Sequence, residues 1–506
     1  MGRTQVRSRR LLVMLLLLSL WPTSALAETN PDRFSAGGYF RAMARPDFDG
    51  GWSRLGLWNL YGRLLNEGPW AALELKLDAL QQEPGTHDVW TSLHAKLEGG
   101  SVHGADVRNG SLENYSLSQL YVKAGNVLLE GVTWQMGTLH TYFGDLGLYD
   151  MRPSDLFYDT VGVSALYQND TIDLLVGFGD SGYGKRGDQY STILTAGGSL
   201  RVRLVDGLEL GVGGEFFYEP EVQGNRFAPH RTPLPQNITY EDYVRHEIVA
   251  RFLEQNPGRE DEFPKPVPTS SSSYKLVGYL GFGKLGPLRW NNLFVNFGLR
   301  HPDNFYTETV AGRNYTLYTQ ALTDQRYELN VGNEMQLALV PELLDLVWAG
   351  VLGTRTDEDN KVSASEDNRF FYSLVVRGQL YLTETVHFLA ETSYAHENSK
   401  QGNLWRGHYN SVFESQDGLA NSEGLEFGDQ DNRNTWQLKT GFVLNPTGYG
   451  VFARPSIRLL YGLQHSTMHN AFGNSFVETL DQFNEFRETS DRNWHSVISL
   501  EAEAWF

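Results

Sequence analysis

The stretch that decides the fold is SLEAEAWF, residues 499–506, at the end of the chain. Successive side chains of a β-strand point to opposite faces, so Ser499, Glu501, Glu503 and Trp505 share one face and Leu500, Ala502, Ala504 and Phe506 the other. Alternation of this kind over about ten residues is typical of a strand with water on one side and lipid on the other. One such strand would also suit a soluble sheet, so the rest of the chain decides between the two.

The rest of the chain repeats the pattern between short turns and long polar connections. The predicted turns are 66–69, 125–131, 169–170, 205–207, 284–287, 341–343, 383–385 and 445–450. The predicted loops are 46–53, 82–114, 141–161, 179–191, 219–272, 300–325, 356–367, 397–433 and 466–492. Turns that alternate so regularly with loops predict an all-β fold: a transmembrane antiparallel β-barrel of 18 strands, with short periplasmic turns and long extracellular loops.

Two intervals near the start are less regular. Residues 54–65 lie between a loop and a turn, and the pattern predicts them as the second strand. Residues 88–99, around Trp90 and Leu93, also alternate. Because a further strand would make the count odd, we interpret 88–99 as a hairpin arm inside a loop.

The first 27 residues predict export. A basic stretch from Arg3 to Arg10 precedes the apolar run Leu11–Trp21, and Ala25-Leu26-Ala27 is a typical signal-peptidase site. We therefore expect a cleaved signal peptide at 1–27, a barrel channel at 28–506, and a location in the bacterial outer membrane. After residue 27 no apolar run is long enough for a spanning helix.

Composition excludes several kinds of function. The formal net charge is −19, which disfavours nucleic acid as a partner. The chain contains no cysteine, so disulfide frameworks, thiolate metal sites and cysteine nucleophiles are excluded. Because no catalytic constellation or metal-ligand motif is apparent either, we expect no enzyme activity, no cofactor and no metal.

Large aromatic residues fall on the predicted inward faces, beside arginine and carboxylate side chains. Such a set suits sugars, because a pyranose packs its C–H face on an aromatic ring while its hydroxyl groups bind charged side chains. Several weak sites in series also allow a solute both to enter a channel and to leave it. The inward aromatic residues are Tyr39, Tyr61, Trp290, Phe452 and Trp505.

At these residues the chain resembles the maltoporins, the eighteen-stranded sugar-specific porins. The resemblance rests on short blocks: Gly38-Tyr39-Phe40-Arg41, Arg54-Leu55-Gly56 with Tyr61, Trp134 through Asp159, Trp290-Asn291, Phe452 through Arg458, and the penultimate Trp505. It departs from the family at Arg63, Ser116, Phe143 and Arg152, where other side chains are expected.

The resemblance implies a function and a set of roles. It implies diffusion of maltose-like oligosaccharides along an aromatic slide of Tyr39, Tyr61, Trp290, Phe452 and Trp505, with Trp90 contributed from a neighbouring subunit. It implies a polar track of Arg41, Arg54, Asp145 and Asp150, and an inward-folded third loop. The implied partners are the oligosaccharide, outer-membrane lipid and lipopolysaccharide, the barrel assembly machinery, which reads the terminal Phe506, and two further copies in a homotrimer.

Two other functions stay open. One is a different eighteen-stranded channel, either substrate-specific or general, for anionic polysaccharide or small carboxylates. The arginines Arg41, Arg63, Arg454 and Arg458 keep this alternative open. The other is a barrel enzyme or adhesin, which would need a catalytic constellation or a large binding module.

Overall fold

The computed structural model describes most of the predicted strands and part of the connections. The described residues are 33–44, 59–82, 86–100, 115–182, 192–220, 271–300, 306–310, 313–317, 326–357, 369–399, 432–467 and 494–506. The expected signal peptide at 1–27 and Arg54 lie outside them. Within them, no helix is both long enough and apolar enough to cross a membrane.

Eighteen long strands form a single antiparallel sheet, and a small hairpin stands apart from it. The first nine barrel strands are β1 (Phe34–Ala44), β2 (Trp70–Leu80), β3 (Trp90–Gly100), β4 (Ser116–Gly125), β5 (Val132–Thr141), β6 (Leu156–Gln168), β7 (Ile172–Asp180), β8 (Leu194–Val205) and β9 (Leu208–Glu219). The other nine are β10 (Ser271–Leu285), β11 (Leu288–Arg300), β14 (Arg326–Val340), β15 (Leu344–Asp357), β16 (Arg369–Tyr381), β17 (Val386–Ser399), β18 (Asn432–Leu444), β19 (Ser456–Ser466) and β20 (Trp494–Trp505). The hairpin consists of β12 (Tyr306–Val310) and β13 (Arg313–Leu317).

The sheet closes on itself. Tyr39 in β1 pairs with Ala72 in β2 on one side and with Trp505 in β20 on the other. Every other barrel strand pairs with its neighbours along the chain, β11 joining β14 across the hairpin. The predicted all-β barrel of 18 strands is therefore confirmed.

Alternation sorts the side chains as the sequence predicted. In β7, Leu174, Val176 and Phe178 are exposed on the outer face, while Leu175 is buried on the inner one. Strands that present an apolar outer face and a polar inner face suit lipid outside and water inside.

Short and long connections alternate along the barrel, and from residue 125 onward the turns lie where predicted. The first predicted turn, 66–69, is wrong, because the first short connection is 81–89, between β2 and β3.

The predicted second strand at 54–65 is also wrong. Residues Asn59–Tyr61 form a turn of 3-10 helix, and β1 pairs directly with β2. Leu60, Tyr61, Leu64 and Leu65 are all buried. Since apolar residues adjacent in sequence are buried together, this segment has no lipid-facing side and cannot serve as a barrel strand.

The interpretation of 88–99 as a hairpin arm is wrong as well. Residues Trp90–Gly100 form β3, which pairs with β2 and β4. The predicted number of barrel strands was therefore right, although one strand was assigned to the wrong residues. The strand assigned to the segment around Tyr61 is in fact β3.

Placement of β3 in the barrel wall can be tested at Ala95, which pairs with Leu75 and Leu120 on the outer face. We expect Ala95→Arg to lower the free energy of unfolding by about 2–4 kcal/mol, the range for a cation near the bilayer midplane. Urea unfolding in lipid vesicles measures this change. Lys96→Arg, on the inner face, is the control. An unchanged free energy of unfolding in Ala95→Arg would contradict the placement of β3 in the wall.

Candidate solute passage and its inner segments

Among the described residues, two stretches of chain lie inside the barrel. We name residues 59–69 the first inner segment and residues 142–155 the second inner segment. They contact each other directly, because the Arg63 amide donates a hydrogen bond to the Leu148 carbonyl over 2.8 Å. The inward fold of the second segment agrees with what the resemblance to maltoporins implied.

Apolar side chains fix both segments against one side of the wall. Leu60 and Tyr61 from the first segment and Leu146 and Tyr149 from the second are at most 1% exposed. Their partners on the wall include Val277, Phe294, Val347, Ala349, Val375 and Ala395. The interior along β10–β17 is therefore a packed core rather than open water.

Glycines on the inner face of the wall make room for these side chains. A Cβ atom added at Gly211 would lie 2.7 Å from the ring of Phe143, and one at Gly332 would lie 2.6 Å from Leu146. Side chains other than hydrogen would thus displace the second inner segment, which explains why the wall carries glycine at these positions.

Polar groups of the wall satisfy the backbone of both segments. Glu334 accepts hydrogen bonds from the amides of Gly147 at 3.0 Å and Leu148 at 2.7 Å. Asn296 donates to the Pro153 carbonyl at 2.7 Å. Because buried backbone groups without partners are costly, these contacts select one position for the second segment.

A buried charge cluster holds the first inner segment. Glu391 contacts Arg377 at 2.6 Å and Lys439 at 2.8 Å, and all three side chains are at most 3% exposed. The Lys439 ammonium also donates to the Tyr61 carbonyl at 2.8 Å. The cluster therefore joins the wall to the chain turn that carries Tyr61.

A second charge cluster lies where the barrel closes, and Glu503 is its centre. Its carboxylate accepts hydrogen bonds from the Tyr39 hydroxyl and from the guanidinium groups of Arg63 and Arg458, each at 2.7 Å. Arg454 forms an ion pair with it at 2.8 Å. Three of the four arginines that suggested an anion channel are therefore engaged by one carboxylate.

The fourth arginine, Arg41, contacts Glu67 of the first inner segment, which in turn lies beside Asp150 of the second. Burial raises the pKa of Glu67 to about 7, although Arg41 and Arg63 oppose the shift. Burial acts in the same direction on Asp150, but Arg63 and Arg41 outweigh it and lower its pKa. The carboxyl groups of Glu67 and Asp150 therefore lie together beside Arg41 and Arg63, and these arginines link the two inner segments.

The predicted aromatic slide is present only as two separate pairs. The rings of Tyr39 and Trp505 are 4.6 Å apart, and those of Trp290 and Phe452 are 6.3 Å apart. The Arg454 guanidinium lies 5.9 Å from the Trp505 ring. Phe452 lies in the turn before β19, not in a strand as predicted.

Several predicted site residues have other surroundings. Tyr61 is completely buried and donates a hydrogen bond to Glu397 at 2.9 Å, so it presents no face to a solute. Trp90 begins β3 and packs on Gly125 of the neighbouring strand. Asp145 lies in the second inner segment, where burial raises its pKa and its carbonyl accepts from Asn292 at 3.2 Å.

Among the residues that the structure describes, none packs against the opposite side of the interior as the inner segments pack against β10–β17. We name the inward faces of β2 to β5 the open wall, because its ionisable groups keep contact with solvent. The Glu74 side chain is 62% exposed and that of Lys76 is 43% exposed, whereas Lys439 on the packed side is fully buried. The charged and aromatic members of the open wall are Glu74, Lys76, Asp78, Trp90, His94, Lys96, Glu98, Tyr121 and Lys123.

Sequence reasoning missed the open wall. Its signal was present, since charged residues alternate with leucines in LELKLDAL, residues 73–80. The assignment of 88–99 to a loop removed β3, and with it His94, Lys96 and Glu98, from the lumen.

No protein-family model and no curated protein matches this sequence. Among solved structures, the chain is similar to OmpT of the Vibrio cholerae outer membrane, with 9% identity, a TM-score of 0.38, and coverage of 94% of this chain and 99% of that one. It is similar to OprD of Pseudomonas aeruginosa, with 10% identity, a TM-score of 0.41, and coverage of 94% and 95%. It is also similar to OccD3 (OpdP) of the same organism, with 9% identity, a TM-score of 0.40, and coverage of 94% and 91%. Likeness at this level assigns neither a substrate nor an activity.

The packing of the second inner segment against the barrel wall can be tested at Gly211. We expect Gly211→Val to lower the free energy of unfolding by about 1–3 kcal/mol, the usual cost of overpacking, because the new side chain meets Phe143. Gly278→Val is the matched control, since a Cβ atom there has its nearest neighbour at 3.8 Å. Equal effects in urea unfolding would contradict the packing described for Phe143.

Proposed function

We propose that this protein is a passive, substrate-selective diffusion channel of the bacterial outer membrane. The observation that carries the proposal is the asymmetric interior of a closed barrel: β10–β17 hold a packed core, while the open wall keeps Glu74 and Lys76 in contact with solvent. A barrel of this size encloses an aqueous space unless something fills it. Of the described residues, the inner segments fill one side of this space, and the proposed route for solutes follows the other.

Charges of both signs line this route. Lys76 contacts Asp78 at 2.9 Å, and Lys96 contacts Glu98 at 2.9 Å and Glu74 at 3.9 Å. Polar and charged solutes exchange their hydration water for such groups, and a wall of several weak sites lets them leave again. These residues support selection by charge, and the inner segments narrow the space in which selection occurs.

Selection by charge can be tested at Glu74. We expect Glu74→Gln to make the channel less cation-selective, because it removes the most exposed carboxylate of the open wall. The measurement is the reversal potential of the refolded protein in planar bilayers under a potassium chloride gradient. Glu130→Gln is the control, since this carboxylate is 68% exposed but lies in a turn outside the wall.

An unchanged reversal potential for Glu74→Gln would contradict the route along β2 to β5. Failure of the wild-type protein to conduct ions at all would contradict the channel itself.

Diffusion of sugars is a second candidate, and the pairs Tyr39–Trp505 and Trp290–Phe452 favour it. Trp505 is 57% exposed, and a flat ring beside the Arg454 guanidinium offers both surfaces that a pyranose needs. With Tyr61 buried, a solute would pass between two pairs rather than along a continuous slide. Membership of the maltoporins and assembly as a homotrimer remain predictions.

Sugar selectivity can be tested by titrating the bilayer conductance with malto-oligosaccharides. We expect saturable block by sugar if the aromatic pairs bind it, and weaker block in Trp505→Ala and in Trp290→Ala with ion conductance retained. Equal sugar affinity in both variants and the wild type would contradict any role for the pairs.

A further inference from the structure

A small cavity opens in the inner face of the barrel beside the open wall, beneath the end of the second inner segment. It has a volume of about 90 Å³ and is bordered by Lys123, Thr133, Gln135 and Ser164 on its polar side. Phe157 and Leu175 form its apolar side. The cavity thus has a charged end and an apolar end.

Lys123 is the unusual member of this lining. Within the described part of the chain it belongs to no ion pair, and its ammonium lies 5.4 Å from the centre of the Tyr121 ring. The charged group that acts on it most strongly is a second cation, Lys76, which is itself balanced by Asp78 at 2.9 Å. A partly buried cation without a countercharge is unfavourable, so the cavity favours an anion.

The histidine that borders the cavity is already engaged. The Nδ1 atom of His140 is hydrogen-bonded to the Gln119 amide at 2.9 Å, and its Nε2 atom lies 2.7 Å from the Asp155 carboxylate, so a countercharge already faces this ring. Lys123 therefore supplies the available positive charge, and the hydroxyl groups of Thr133 and Ser164 supply further hydrogen bonds.

We infer that this cavity binds a short-chain carboxylate, of the size of acetate or propionate, with its carboxylate on Lys123 and its alkyl end on Phe157 and Leu175. A cavity of about 90 Å³ has room for the four or five heavy atoms of such an anion. Inorganic phosphate and chloride have no alkyl end for the apolar side. The inference rests on the proposed function, since small carboxylates bound in this cavity would be solutes of the proposed channel.

The test is binding of ¹³C-labelled acetate to the refolded protein in detergent micelles, followed by NMR line broadening. We expect saturable binding that Lys123→Gln weakens at least tenfold. Lys284→Gln is the matched control, because it removes the same charge at the end of β10, where Lys284 is paired with Asp206. Equal binding in Lys123→Gln and the wild type would overturn the inference.

A second variant separates the cavity from the lysine charge. Ser164→Leu keeps Lys123 but fills the cavity, so we expect it to lose acetate binding too. Retained binding in Ser164→Leu, or displacement of acetate by chloride or phosphate as readily as by propionate, would overturn the assignment.

Conductance of the same preparation distinguishes the two proposals. If the protein binds acetate but conducts no ions, the carboxylate site is supported and the proposed channel function is contradicted. If it conducts ions but binds no acetate, the channel function is supported and the carboxylate site is contradicted.

Discussion

Every backbone amide and carbonyl that enters the barrel must find a partner there, and this constraint organises the interior. The inner segments have little regular secondary structure of their own, so the wall supplies the partners. Glu334 accepts two amides of the second segment, and Lys439 donates to the carbonyl of Tyr61 in the first. Lys439 is itself held by Glu391, which explains why a cluster of buried charge lies inside a barrel whose other inward residues face water.

The constraint also divides the barrel wall into two parts whose inward polar residues have different surroundings. Polar residues of β10–β18 serve the inner segments and are withdrawn from solvent, as the full burial of Glu391 and Lys439 shows. Among the described residues, no inner segment contacts the polar residues of the open wall closely enough to bury them, as the exposure of Glu74 shows. Under the proposed function, the route for solutes therefore follows the open wall, and its side chains set the selectivity.

Local patterns in the sequence predict the wall better than the interior. Alternation and turn residues placed the strands from residue 125 onward, because each strand is recognisable from its own side chains. The same rule failed at Tyr61, since the alternation there is incomplete and the burial comes from Val375 and Ala395, more than three hundred residues away. The inward aromatic residues were predicted individually, but only closure of the barrel puts Trp505 next to Tyr39. No pattern along the chain could show that Glu503 would engage three arginines.

Under the proposed function, water and solutes follow the open wall and not the packed side. Because the chain contains no cysteine, single cysteines can report on each side without background. The direct measurement is bilayer conductance of Glu74→Cys and Ser393→Cys before and after a charged methanethiosulfonate reagent. Both positions lie on inward faces, but Ser393 is only 2% exposed. The account predicts that the reagent reduces the conductance of Glu74→Cys and leaves Ser393→Cys unchanged, and the reverse pattern would contradict it.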